Sequence, residues 1–355
     1  MFVIKFVAVG LSFFYTVSGS IAGSLWPDEK LDKYIQRKLR RNPSVLRINQ
    51  KPIGDRGAAF LAASPRLKTV STLVLYNSGI GDRGVQALAV SPYLENLREL
   101  YLESNAISDQ GVVGLASSSS LSSLEVLSLH HNQVGDAGAK ALADSAFFGR
   151  LKKLNLNFNQ VGDAGAMLLT EAGGLSALGK LDLSYNPLKK IGKNALLRFD
   201  LKQKFKSMKQ KGKLNDFSKV YIGDTGLSAL METGYLSEVT RLNLSHNNLG
   251  DLAAEILANS DQLSKLEFLD LSNNLIGDRG AIALANSFSL KKLKELNLNF
   301  NRIENKGALA FAQTTHSSRL EALLLGQNKI GSIGAKGLRD SRNLEQLVFP
   351  IFGFY

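Results

Sequence analysis

Leu124-Glu125-Val126-Leu127-Ser128-Leu129-His130-His131-Asn132-Gln133-Val134-Gly135-Asp136-Ala137-Gly138-Ala139 is one copy of a unit that the chain repeats many times. Its anchors Leu124, Leu127, Leu129, Asn132 and Val134 have counterparts one period earlier in Leu97, Leu100, Leu102, Asn105 and Ile107. They recur one period later as Leu151, Leu154, Leu156, Asn159 and Val161. After an interruption the frame resumes at Leu266, Leu269, Leu271, Asn274 and Ile276, then at Leu293, Leu296, Leu298, Asn301 and Ile303. A fixed 27-residue period predicts a solenoid, in which each unit packs mainly on its neighbours. Within the unit, Leu-x-x-Leu-x-Leu places alternating leucines on one face of a short strand. The Asn three positions on ends the strand, its amide bonding backbone groups that have lost their ladder partners. The Asp of Val134-Gly135-Asp136-Ala137-Gly138-Ala139 suits a helix cap, and the helix that follows carries a small apolar stripe on Ala139, Leu142 and Ala143.

These residues and their spacing resemble the ribonuclease-inhibitor-like class of leucine-rich repeat. Counted by the second leucine, units fall at Leu46, Leu73, Leu100, Leu127, Leu154 and Leu181, then at Leu242, Leu269, Leu296, Leu323 and Leu347. The resemblance covers nearly everything from Val45 to Phe349. It implies an α/β right-handed solenoid, a horseshoe with parallel strands on the concave face and helices on the convex face, and a role as a recognition scaffold. The Gly-Asp-x-Gly-Ala wording is similar to that of bacterial repeat proteins. Ser78 and Lys51 depart from the pattern where Asn is expected.

The ends are unlike the repeats. Lys5 followed by the apolar run Phe6 to Val17 has the proportions of a signal peptide, with Ser20-Ile21-Ala22 as a small-x-small cleavage site. Residues 1–22 are therefore expected to direct export, to the periplasm, cell surface or medium. Residues 23–44 are expected to form an N-terminal cap helix, with Leu31, Ile35 and Leu39 at helical spacing after Pro27. Residues 45–188 form a first array and 222–355 a second, closed by an apolar plug at Pro350 to Tyr355. The chain of 355 residues contains no cysteine, which excludes disulfides, thiolate metal sites and cysteine nucleophiles.

Between the arrays, residues 189–221 break the frame: Leu188 and Ile222 are equivalent but stand further apart than one period. Lys189 to Lys219 hold eleven Lys and Arg against Asp200 and Asp216, so nine of the chain's twelve net positive charges lie here. Lys189, Lys190, Lys202, Lys204, Lys206, Lys209, Lys211 and Lys213 are the candidate residues for an anionic surface or polyanion. Leu197, Leu201, Phe205 and Met208 suit one stripe of a basic amphipathic helix. Alternatively, Phe205 and Met208 are worn strand leucines, one period after Leu178 and Leu181, in a degenerate coil with a solvated basic loop.

No catalytic, metal or cofactor constellation emerges. His130, His131, His246 and His316 lack carboxylate or histidine partners at metal-like spacing, and the neighbours His130 and His131 would point to opposite sides of a continuing strand. No nucleophile elbow, phosphate loop or dinucleotide fingerprint occurs. The column Asp82, Asp109, Asp136, Asp163, Asp251 and Asp278 is accounted for by helix capping rather than acid–base work.

The positions between and just after the strand leucines are free of packing and are the place to look for recognition. Tyr76, Tyr101, His130, Phe158 and Tyr185 gather there, with Glu99, Glu103, Lys153 and Lys180 around them. Aromatic anchors with a charged rim suit a protein interface. Five coils at about 4.8 Å each span roughly 20 Å, enough for about 800 Å² per partner. The corresponding positions of the second array are richer in Asn, Ser and Asp. The expected function is thus a non-catalytic, monomeric scaffold binding a protein through its concave face, without specific nucleic acid. The alternatives are a secreted effector or GTPase-regulator-like role, which some relatives of the repeat class have, or adhesion to an anionic surface through residues 189–219.

Overall fold

The computed structural model describes residues 25–315 and 320–347, which form two compact units divided at Pro187 and Leu188. The expected signal segment, His316 and the plug at Pro350 to Tyr355 lie outside the described residues.

The first unit opens with helix α1 (Asp28–Arg41), whose Leu31 and Ile35 are buried. Strand and helix then alternate: β1 (Val45–Arg47), α2 (Gly54–Ala62), β2 (Thr72–Val74), α3 (Asp82–Ala89), β3 (Glu99–Tyr101), α4 (Asp109–Ala116), β4 (Val126–Ser128), α5 (Asp136–Ala143), β5 (Lys153–Asn155), α6 (Asp163–Glu171) and β6 (Lys180–Asp182). The six strands form one parallel sheet in chain order. Because the period is constant, each strand meets its own counterpart: Leu46, Leu73, Leu100, Leu127, Leu154 and Leu181 are direct partners in sequence. All six are buried. Behind them, the helix stripes pack coil on coil, as with Ala139, Leu142 and Ala143.

The second unit begins with a long helix, α7 (Lys190–Gln210), followed by α8 (Gly223–Glu232). The repeat then resumes with β7 (Arg241–Asn243), α9 (Asp251–Ala258), β8 (Phe268–Asp270), α10 (Asp278–Ala285), β9 (Glu295–Asn297), α11 (Asn305–Gln313), β10 (Ala322–Leu324) and α12 (Ser332–Arg339). Strands β7 to β10 form a second parallel sheet, with Leu242, Leu269, Leu296 and Leu323 in register. The chain is thus an α/β leucine-rich solenoid in which strand and helix alternate once per coil.

Three polar ladders tie neighbouring coils together. Asn105 Nδ2 donates to Leu102 O in its own coil and to Leu75 O in the preceding one, while its Oδ1 accepts from the Ser78 and Ile80 amides. Asn132, Asn159, Asn247, Asn274 and Asn301 bridge coils in the same way. A second ladder runs at the helix ends, where Ser91 and Ser145 donate to the last carbonyls of the preceding helices, Ala62 O and Ala116 O, at 2.6 Å.

The third ladder corrects the expected capping. Asp82, Asp109, Asp136, Asp251 and Asp278 are each the first residue of their own helix, and the residue before offers that helix no side-chain cap except at Ser108. The carboxylate instead caps the helix of the next coil. Asp109 Oδ1 accepts from Gly135 N (2.7 Å) and Gly138 N (2.9 Å), satisfying two of the amides that begin α5. Asp55, Asp82, Asp136, Asp251 and Asp278 do likewise. This explains the second glycine of Gly-Asp-x-Gly: a Cβ on Gly138 would lie 2.6 Å from Asp109 Oδ1.

The basic segment also differs from expectation. Phe205 and Met208 are not worn strand residues, since both lie in α7. Leu201 and Phe205 are buried in the core of the second unit, Met208 packs against it, and Leu197 is left exposed. The worn strand lies further on. Phe217 occupies the place one period before Leu244, bridging to the β7 coil through Phe217 N to Asn243 O and Asn243 N to Asn215 O. Its ring meets Phe205 edge to face, at 5.6 Å.

Candidate functional site

The strand face of the first unit carries the nine residues singled out as candidate contacts. Tyr101, Glu103, Lys153 and Lys180 line one hollow of about 230 Å³, together with Ser128, Asn155 and Asp182. Strands β3 to β6 supply all but Glu103, which lies two residues past β3, alternate strand residues pointing away from the leucine core. Glu99 stands beside the hollow and accepts hydrogen bonds from Tyr101 Oη (3.2 Å) and Thr72 Oγ1 (3.3 Å). Partial burial, reinforced by the carboxylates of Glu99 and Glu103, holds the Tyr101 phenol above its ordinary pKa. Tyr101 thus stays a neutral hydrogen-bonding group well past physiological pH.

His130, Phe158 and Tyr185 form a separate aromatic shelf. Phe158 and Tyr185 stack with centroids 4.1 Å apart and planes 8° from parallel, and His130 meets Phe158 edge on at 5.4 Å. His131 joins them, 6.1 Å from Phe158. The two histidines therefore do not straddle a strand: β4 ends at Ser128, and His131 has turned into left-handed backbone. Tyr76, two coils away from His130, belongs to neither the hollow nor the shelf.

The backbone under the shelf is a further column. His131, Phe158 and Tyr185 have φ of 57°, 52° and 55°, and Asn77 and Ser104 occupy the same place in earlier coils. The turn continues the ladder, since Phe158 N bonds Ser184 O of the next coil. This conformation is comfortable for Asn and rare for a bulky side chain. Yet Phe158 is 42 % and Tyr185 73 % exposed. No signal in the sequence marks this strain, because the column looks like any other variable position.

Ser128, Asn155 and Asp182 sit at variable strand positions but are neither aromatic nor carriers of an obvious rim, so composition alone does not single them out. Ser128 is only 4 % exposed, and its Oγ has no hydrogen-bond partner among the described residues. The Oδ1 of Asn157, which lies between His130 and Ser184 in the coil order, is in the same condition.

The basic residues belong to the second unit. Lys202 pairs with Glu232 at 3.0 Å, Arg198 pairs with the same carboxylate, and Lys209 lies over the Tyr235 ring at 4.2 Å. Lys189, Lys190, Lys204, Lys206, Lys211 and Lys213 are exposed. Among the described residues no helix is long and apolar enough to cross a membrane, and no group of three His, Asp or Glu side chains is placed to hold a metal ion.

A family model described as Leucine Rich repeat matches six segments, 93–116, 120–143, 151–169, 237–258, 262–285 and 289–312. Both units thus contain leucine-rich repeats. Proteins of such repeats are in general terms scaffolds for protein interaction, typically without catalysis of their own. No curated protein matches the chain. Among solved structures, it is similar to internalin C2 of Listeria monocytogenes, at 20% identity over 81% of this chain and 80% of that one, with a TM-score of 0.26. Internalin F of the same organism matches at 20% identity over 95% and 99%, with a TM-score of 0.27. The Arabidopsis receptor kinase HAESA, solved with the peptide hormone IDA and the co-receptor SERK1, matches at 17% identity over 81% and 46%, with a TM-score of 0.29.

Proposed function

We propose that this leucine-rich-repeat chain binds another protein through the strand face of residues 45–188, without catalysing a reaction. The observation that carries the reading is the aromatic shelf. Phe158 and Tyr185 are held exposed and stacked on left-handed backbone, where Asn77, Ser104 and Asn273 stand in other coils. Outliers of this kind persist only when the surroundings hold them, and they concentrate at binding sites. Rigid, exposed aromatic rings beside charged side chains give a partner a desolvating anchor with a polar rim. The 27-residue period with an α-helix in most coils supports assignment to the ribonuclease-inhibitor-like subtype, whose strand face is concave. Export rests on Lys5 and the apolar run Phe6 to Val17. We assign residues 23–44 as the N-terminal cap, 189–221 as a basic irregular segment with a degenerate repeat and 222–355 as the second array with its C-terminal apolar cap.

Adhesion through the basic segment is the weaker reading, because Leu201 and Phe205 are spent in the core and leave no apolar stripe to enter a bilayer. Only electrostatic contact remains, and that falls as salt rises. The deciding experiment is affinity capture of a partner from the native source, followed by binding measurements with purified components. Replacing Tyr101 and Phe158 together by Ala should weaken binding at least tenfold at 0.15 M and 0.5 M salt, with the melting temperature changed little. Binding that survives this variant, or that vanishes with salt alone, rules the strand face out.

A further inference from the structure

Several charges elsewhere on the chain are matched between neighbouring coils. Arg98, Glu125 and Lys152 form a continuous alternating row, with Glu125 held at 2.8 Å and 2.6 Å from its two partners. Lys294 meets Glu267 and Lys265 meets Glu238 in the same manner. The hollow breaks this habit. Lys153 and Lys180 are direct partners across β5 and β6, and like charges in that relation repel. Neither lysine forms an ion pair among the described residues, nor does Glu103 on the opposite wall. Asp182 offsets one of the two cations, but one of its oxygens already accepts from the Ser184 amide at 3.0 Å.

The Ser128 hydroxyl adds an independent sign. It lines the hollow, is more than nine-tenths buried and has no hydrogen-bond partner among the described residues, an unfavourable state for a buried polar group. A carboxylate between Lys153 and Lys180 would relieve their repulsion and could accept a hydrogen bond from the Ser128 hydroxyl. A volume of about 230 Å³ takes one side chain rather than a drug-sized ligand. Glu103 lies on the β3 coil and Lys180 on β6, three coils or about 14 Å apart at the usual strand spacing. An extended peptide covers that distance in about four residues.

We propose that the hollow receives an acidic side chain of the protein partner between Lys153 and Lys180, with a basic residue about four positions away meeting Glu103. The proposal rests on the strand face being the binding surface. Selection of random twelve-residue peptides on the full-length chain tests it. Enriched peptides should carry an Asp or Glu with a Lys or Arg about four positions away. A synthetic copy of one should bind at least tenfold more weakly when its acid is changed to the amide, or when the chain carries Lys153→Gln with Lys180→Gln. Ser128→Ala should weaken binding several-fold without lowering the melting temperature, since its hydroxyl bonds nothing among the described residues. If the lysine variant binds as well as wild type while Phe158→Ala with Tyr185→Ala does not, the surface stands and the acidic pocket is wrong. If neither double variant changes binding, or no peptide is enriched, both fall.

Discussion

The two arrays share an interior and differ on the strand face. In both, leucines pair with themselves from coil to coil, Asn ladders join strand ends, and Asp or Asn side chains cap the following helix. In both, the residue after the strand region turns left-handed, at His131, Phe158 and Tyr185 in one and at His246, Asn273, Phe300 and Gln327 in the other. The first array fills three consecutive places with rings that pack on one another. The second separates His246 from Phe300 by Asn273 and follows Phe300 with Gln327, so no shelf forms in that column. The backbone demands the turn but not the side chain. What varies between the arrays is therefore the surface offered to a partner, at little consequence to the packing beneath.

That claim is broken most directly at the interior. Leu129→Ala in the first array and Leu271→Ala in the second each remove a fully buried side chain. Both should cost about 2–5 kcal/mol in urea unfolding, by lost burial and a residual cavity. A cost confined to one array would mean the interiors are not equivalent.

The capping ladder comes next in size. Asp109→Ala strips two backbone amides of α5 of their acceptor and should cost about 1–3 kcal/mol. Asp109→Asn should cost much less, because the second array already contains that solution: Asn305 Oδ1 accepts from Gly331 N at 3.0 Å and Gly334 N at 2.9 Å. Thermal melting of the two variants side by side separates hydrogen bonding from charge. Equal losses would make the carboxylate charge, acting on the helix end, the main source of the cap's stability.

The repeat explains what was legible and what was not. Leucine spacing reports burial, so the strands, their register and the helix stripes follow from it. Partner identity within a ladder does not follow. Gly135, which precedes Asp136 in its own coil, is also the residue that Asp109 of the preceding coil caps, so the sequence leaves the direction of capping open. The serine ladder is hidden for the same reason. Phe217 was missed because Asn215 stands where the repeat would place a strand leucine. Among the candidate contacts, aromatic and charged types were visible as variable positions, whereas the strain beneath Phe158 and the buried hydroxyl of Ser128 are properties of the folded backbone.

The smallest effect on stability carries the sharpest test of the comparison. Phe158→Asn gives the left-handed position a residue that prefers it several-fold, a gain of about 1 kcal/mol. It also removes the ring stacked on Tyr185, a loss of about 0.5–1.5 kcal/mol. The two should nearly cancel, leaving the melting temperature within a few degrees of wild type. Phe158→Ala loses the same ring without the backbone gain, so it should melt below the Asn variant by the equivalent of about 1 kcal/mol. Phe300→Asn has no stacked partner one coil away to lose and should be the more stable chain. If partner binding falls with Phe158→Asn and persists with Phe300→Asn, strain in the first array is maintained for recognition. If Asn and Ala at position 158 melt together, the left-handed backbone exacts no penalty from the ring, and the case for the shelf loses its physical basis.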